Sequence, residues 1–194
     1  MKFPVICSAA ALFCSTAFAS PETLVVDSNH TFAHFSYSHL GFSTQQSRFN
    51  KTTGTVVYDP EARTAVVDIT VDAKSVDTGS DLFNGHIQGP ANLDTANFPT
   101  VTFKSTDVTF TEDTPTSVDG NLTIKGITKP VVLKITSFKH AQNPMTHTDA
   151  IGAMASGMIK RSEFNAGQFV PMVGDDVTLT ISLEAQVPGA APPK

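Results

Sequence analysis

Six histidines are the residues of this chain best suited to chemistry: His30, His34, His39, His86, His140 and His147. Imidazole can ligate a metal, act as a general base or relay a proton. A metal site needs spacings that bring ligand atoms together, such as His-x-His on a strand face or His-Glu-x-x-His on a helix. Neither pattern occurs. In an extended strand His30 and His34 share a face but lie far apart along it, and His39 falls on the opposite face. No cysteine or carboxylate is expected at ligand spacing, so the histidines read as isolated hydrogen-bonding residues and no metal is expected. Nucleophilic catalysis has no better basis. There is no Gly-x-Ser-x-Gly elbow, and Ser, His and Asp follow no recognisable order. The carboxylate pair Asp175-Asp176 stands in a glycine-led loop before a strand and reads as a solvated turn. Gly-x-Gly-x-x-Gly and Walker loops are missing, so no nucleotide cofactor is expected. These patterns predict a protein that is not an enzyme, with no catalytic residues and no cofactor.

The elements that would hold these side chains alternate with a period of two, and helical periodicity is almost absent. Eight strands are predicted, bounded by Gly, Pro, Asn or Asp, over residues 24–38, 52–58, 63–72, 100–111, 117–125, 129–139, 149–160 and 176–187. The last is the cleanest, with Val177, Leu179, Ile181 and Leu183 set against Thr178, Thr180, Ser182 and Glu184. In the fourth, Val101 and Phe103 fall in one register and Val108 and Phe110 in the other, which predicts a bulge near Ser105 to Asp107. Gly126-Ile127-Thr128 reads as a hairpin turn. Residues 73–99 carry no strand signal and are too long for a hairpin loop, so they are expected to fold over one end with short helices. The fold class expected is all-β: an eight-stranded antiparallel barrel, in which closure removes exposed strand edges and leaves room for one small ligand. An open sandwich is the structural competitor.

The N-terminus reads as an export signal. Lys2 precedes the uncharged, mostly apolar stretch Phe3–Phe13, and Ala17-Phe18-Ala19 has the small-x-small form of a cleavage site before Ser20. The expected division is a signal peptide over 1–19, one domain over 20–187 and a loose tail over 188–194. Cys7 and Cys14 both leave with the signal, so the mature chain has no disulfide and no thiolate. It keeps 12 basic and 18 acidic side chains and no basic run, a poor match to nucleic acid or an anionic membrane surface. No run of about eighteen apolar residues follows, and no stable membrane anchor is expected. Eleven of the fourteen Phe survive processing, a large aromatic area in a chain otherwise rich in Thr, Val and Ser.

In this order the motifs resemble the YceI-like family from about Val25 to Ala185. They include Asp27-Ser-Asn-His30-Thr31, His39-Leu40-Gly41, Ser75-Val76-Asp77-Thr78, His86 and Phe98-Pro99-Thr100-Val101-Thr102-Phe103. Gly120-Asn-Leu-Thr-Ile-Lys-Gly126-Ile-Thr128-Lys-Pro130-Val131 and Arg161-Ser-Glu-Phe164-Asn165 complete the set. Three departures stand out. Phe83-Asn84-Gly85-His86-Ile87 replaces the family's Arg-Asp-x-His-Leu, Asn92-Leu93-Asp94 replaces Phe-Phe-Asp, and Leu24 stands at a position that is often aromatic. The resemblance implies a lipocalin-like barrel in the bacterial periplasm that encloses a polyisoprenoid or isoprenoid-quinone lipid, often as a homodimer. The lipid is then the ligand, in place of any cofactor.

Face and position make Phe32, His34, Phe35, Phe103, Met154 and Met158 the expected strand contributors to a lipid tunnel, with Phe83 and Phe98 near its mouth. The small residues Gly152, Ala153, Ala155, Ser156 and Gly157 favour an open lumen because they leave volume unfilled. The rival readings are a barrel enzyme acting on a small apolar substrate, for which His34, His39 and His86 are the only raw material, and a stress-related interaction protein with an incidental cavity.

Overall fold

A computed structural model describes residues 20–189; the signal peptide expected over 1–19 lies outside the described residues, as does most of the expected tail. Among the described residues the strands are β1 (Glu22–Val26), β2 (Phe32–His39), β3 (Ser43–Phe49), β4 (Thr52–Asp59), β5 (Thr64–Asp72), β6 (Val76–Asp77), β7 (Thr100–Thr111), β8 (Thr114–Ile124), β9 (Ile127–Gln142), β10 (Asp149–Lys160) and β11 (Asp176–Gln186), with one α-helix, α1 (Asp81–Gln88), between β6 and β7. All named pairings are antiparallel, in the order β1-β4-β5-β7-β8-β9-β10-β11, and β11 returns to β1 through Val25↔Gln186 and Val26↔Ala185. Those eight strands close the expected barrel.

The observed strands outnumber the expected ones because one expected strand is broken in two and because β3 and the two-residue β6 form where no strand was expected. The strand expected over 24–38 is broken at residues 27–31. Its lower part, β1, lies on the end of β11, and its upper part, β2, runs along residues 178–182 of the same strand. Thr31 seals the break: its Oγ1 donates to the Glu184 carbonyl at 3.1 Å and accepts from the Glu184 N–H at 3.0 Å. β3 and β4 likewise follow one another across Asn50-Lys51. β3 itself is an addition to the sequence reading. It pairs with β2 from Ala33↔Phe49 to His39↔Ser43, although Ser-Thr-Gln-Gln-Ser-Arg-Phe shows no apolar alternation.

Turn chemistry fixes the register. Ile124 pairs with Ile127, and Lys125 and Gly126 both have positive φ, at 52° and 74°, as a two-residue type I′ hairpin requires. The bulge falls where the phase of the sequence slips: Ser105 faces Gly120, and the next pair is Asp107 with Asp119. Gly120 is needed beside it, because a Cβ there would run into the Phe103 ring and the Lys104 carbonyl. Residues 73–99 form a 3-10 turn, the two-residue β6, which pairs with the end of β3, and α1, capped by Ser80 accepting from the Phe83 N–H. The expected short helix over one end is present.

Candidate ligand-binding cavity

Inward-facing side chains do not fill the barrel. Along β11, Leu179, Ile181 and Leu183 point inward yet are only half-buried, and Ile69, Leu133 and Ile135 behave alike. They retain exposed surface because they line a cavity of about 750 Å³ instead of meeting one another. That volume lies within the usual range of small-molecule sites, about 300–1,000 Å³.

One end of the cavity is shut. Tyr58 is buried there with its ring 6.4 Å from Phe110, 5.7 Å from Phe138 and 5.1 Å from His140, and Leu24 and Ala185 are buried in the same cluster. Beyond the rings, His140 Nε2 meets Asp149 Oδ2 at 2.6 Å. The Glu22 carboxyl shares a hydrogen bond with Asp149, which raises its pKa above the usual glutamate value. For Asp149, burial opposes ionisation, but the hydrogen bonds with His140 and Glu22 outweigh it and hold the carboxyl below its usual range.

The opposite end is a mouth. The exposed residues His86, Ala91 and Gln168 line the cavity, as does Phe169, so it reaches solvent between α1 with its following loop and the segment 165–174. Two long cations tie this end together. Lys125 Nζ donates to the carbonyls of Pro90 at 2.6 Å and Asn165 at 2.8 Å, linking the lid, the β8–β9 turn and the loop after β10. Arg161 donates to the carbonyls of Gly174 and Val173 at 2.8 Å and Ala166 at 2.5 Å. Burial lowers the Arg161 pKa from its ordinary value. With Nε, Nη1 and Nη2 each held by a backbone carbonyl, the guanidinium serves as a loop clamp. Sequence reasoning gave neither residue a role, although both lie inside the motifs that carry the family resemblance.

The expected site residues divide into three groups. Phe35 and Phe103 face the cavity, with Phe103 buried in the main core cluster, and Phe83 lines it from α1. Phe32 and His34 border the cavity, but the β2 alternation places Ala33, Phe35 and Tyr37 inward and gives these two rings to the other face. There they meet edge-on at 6.3 Å, and Arg48 lies 4.8 Å over the Phe32 ring. Met154, Met158 and Phe98 are not among the lining residues, and the expectation is corrected for them. Met154 and Met158 are 40% and 63% exposed on the outer wall, because Ile151, Ala153, Ala155 and Ile159 occupy the inward positions of β10. Phe98 packs over Gly126, where a Cβ would meet its ring at 2.8 Å.

The histidine reading needs a similar correction. His30 Nδ1 lies 2.7 Å from Asp27 Oδ2, with Glu184 close by, so carboxylates do sit near a histidine. The turn after β1 folds His30 back onto Asp27, where its N–H donates to the Asp27 carbonyl at 3.2 Å, and β11 brings Glu184 alongside, so the carboxylates come from a turn and a neighbouring strand and not from spacing within one strand. This bond to Asp27 raises the His30 pKa above its ordinary 6.5 and lowers that of Asp27, which also accepts from the Asn29 N–H. Among the described residues it is the only group of three with ligand atoms within 4.8 Å; His34, His39 and His86, although all at the cavity, form no such group.

A closed antiparallel barrel, shut by aromatics at one end and lidded at the other around an apolar cavity, defines a lipocalin-like architecture. Comparison narrows it further. The YceI-like domain model matches residues 24–185, and the chain belongs to that family. A UPF0312 protein of Yersinia pestis is 33% identical over 170 residues, 87% of this chain and 88% of the relative; protein YceI of Salmonella arizonae matches to the same extent. Among solved structures, Burkholderia cenocepacia BcnA superposes with a TM-score of 0.70 at 25% identity, covering 82% of this chain and 98% of that one. A polyisoprenoid binding domain from Saccharophagus degradans superposes at 0.64 with 15% identity, covering 87% and 100%. Among the described residues no helix is long and apolar enough to cross a membrane.

Proposed function

We propose that this protein is a non-catalytic binding protein that encloses a long apolar lipid of polyisoprenoid or isoprenoid-quinone type and carries it across the bacterial periplasm. The observation that carries the reading is the ring of inward-facing, half-buried aliphatic side chains around a cavity of about 750 Å³. Burying CH₂ groups yields about 0.8 kcal/mol each, so a ten-carbon stretch offers about 8 kcal/mol before ordering costs. Affinity of that size needs no polar recognition. The binding named for the Saccharophagus domain supports the same ligand class, and the Ala17-Phe18-Ala19 pattern supports export. Native mass spectrometry of the purified mature protein tests the proposal. A chain beginning at Ser20 that carries an extra mass of several hundred daltons, released by organic extraction as an isoprenoid lipid, is expected. A bare chain under gentle conditions would overturn it.

A further inference from the structure

The rim of the mouth has a surface that ligand enclosure does not explain. Phe42, in the β2–β3 turn, is 90% exposed, and its neighbour Leu40 is exposed as well. In the 165–174 loop Phe169 and Met172 are 60% and 63% exposed. The two segments are one structure: the Leu40 N–H donates to the Met172 carbonyl at 3.1 Å, the Gly174 N–H donates to the Ser38 carbonyl at 2.8 Å, and His39 bridges to Val173. Arg161 clamps the second segment from behind. Large apolar side chains projecting together from two fastened turns are unusual on a surface with no partner.

We infer that this rim docks the mouth onto a neutral or zwitterionic lipid bilayer, so that cargo passes between bilayer and barrel without crossing water. The inference rests on the lipid-carrier reading and goes beyond it. Two observations select a bilayer over other occupants. The apolar surface is continuous with the cavity, since Phe169 is both exposed at the rim and part of the lining. Residues 40–47 and 165–174 also contain no charged side chain, in a chain of net charge −5. A short apolar projection can enter the boundary between headgroups and acyl chains, as the apolar face of an interfacial helix does. Glu163 and Asp175 flank the second segment, so anionic lipid offers no electrostatic gain.

Flotation of the full mature protein with phosphatidylcholine vesicles, with and without added phosphatidylglycerol, tests the docking surface. Wild type is expected to float with phosphatidylcholine alone and to gain nothing from phosphatidylglycerol. The double variant Phe42→Ser/Met172→Ser, altered at two exposed positions outside the cavity lining, should partition about tenfold more weakly. Its urea midpoint and extractable lipid should match wild type. Wild type failing to float, or the variant floating equally well, overturns the inference. So does a wild-type dimer that stays off vesicles and becomes monomeric in the variant, which would make the rim a contact between copies. Gain on adding phosphatidylglycerol would also overturn it, by moving the contact to basic residues elsewhere. If neither protein yields extractable lipid but flotation still differs, the carrier reading fails while the docking surface stands.

Discussion

The two ends of the barrel are stabilised by different means. At the closed end Tyr58, Phe110, Phe138 and Leu24 fill the cross-section with buried apolar area, and β1 pairs with β11. At the mouth the chain is fastened by polar clamps, Lys125 and Arg161 on five backbone carbonyls, while large apolar side chains at the rim stay exposed. Packed rings shut one end; at the other, Phe164 is buried in the main core cluster and the polar clamps fasten the loops around the opening, so the mouth stays open without loss of the core.

Truncation at the two ends should separate them most sharply. Tyr58→Ala removes a buried ring at the closed end and should cost about 3–5 kcal/mol, in line with other buried aromatic truncations. Phe42→Ala at the mouth should stay within about 0.5 kcal/mol. Urea denaturation of both variants reads the contrast, and comparable losses would mean that the rim is part of the core.

A second effect belongs to the mouth alone. Lys125→Asn keeps a residue that tolerates the positive φ of the hairpin turn and removes both clamping hydrogen bonds. Bound lipid should exchange faster with acceptor vesicles, with little change in urea midpoint. Unchanged exchange would show that the lid needs no such brace.

The closed end should show a weaker, pH-dependent effect. The Asp149 carboxyl is lowered, so its contribution to stability is present above the ordinary aspartate range, about pH 4, and lost as pH falls through its lowered value. Glu22 is raised, so its contribution is present below the ordinary glutamate range and lost as pH rises. Asp149→Asn should therefore lower the urea midpoint at neutral pH and flatten the acid limb, and Glu22→Gln should raise the neutral midpoint slightly. Equal shifts of one sign from both would rule out the shared hydrogen bond. The smallest expected change is at the β1–β2 break, where NMR titration should place His30 above 6.5 and Asp27→Asn should return it toward that value.

The fold was legible wherever alternation was strong. The slip between Phe103 and Val108 located the bulge because each side chain must keep facing inward across it. β3 was missed because two of its three shielded residues, Gln45 and Ser47, are polar, so Phe49 alone could not make an apolar alternation. The site was less legible because a period of two separates the faces of a strand without saying which is inside. In β10 the paired Ile151 and Ile159, with Ala153 and Ala155 between them, were the better guide: β-branched residues at the ends and small ones in the middle build a wall around open volume. Lys125 and Arg161 were hidden because their partners are backbone carbonyls of other segments, which no spacing within a motif encodes.

The most direct test of the cavity compares neighbours on opposite faces of β10. Ala155→Trp places a large ring in the lumen, and Met154→Trp places the same ring on the outer wall. Lipid extracted per mole of protein, measured with the urea midpoint for both variants and wild type, distinguishes them. An apolar lipid cavity predicts that Ala155→Trp loses most of its lipid, and that Met154→Trp retains the wild-type amount with little change in stability. Full lipid occupancy in Ala155→Trp, or loss in Met154→Trp alone, would contradict it.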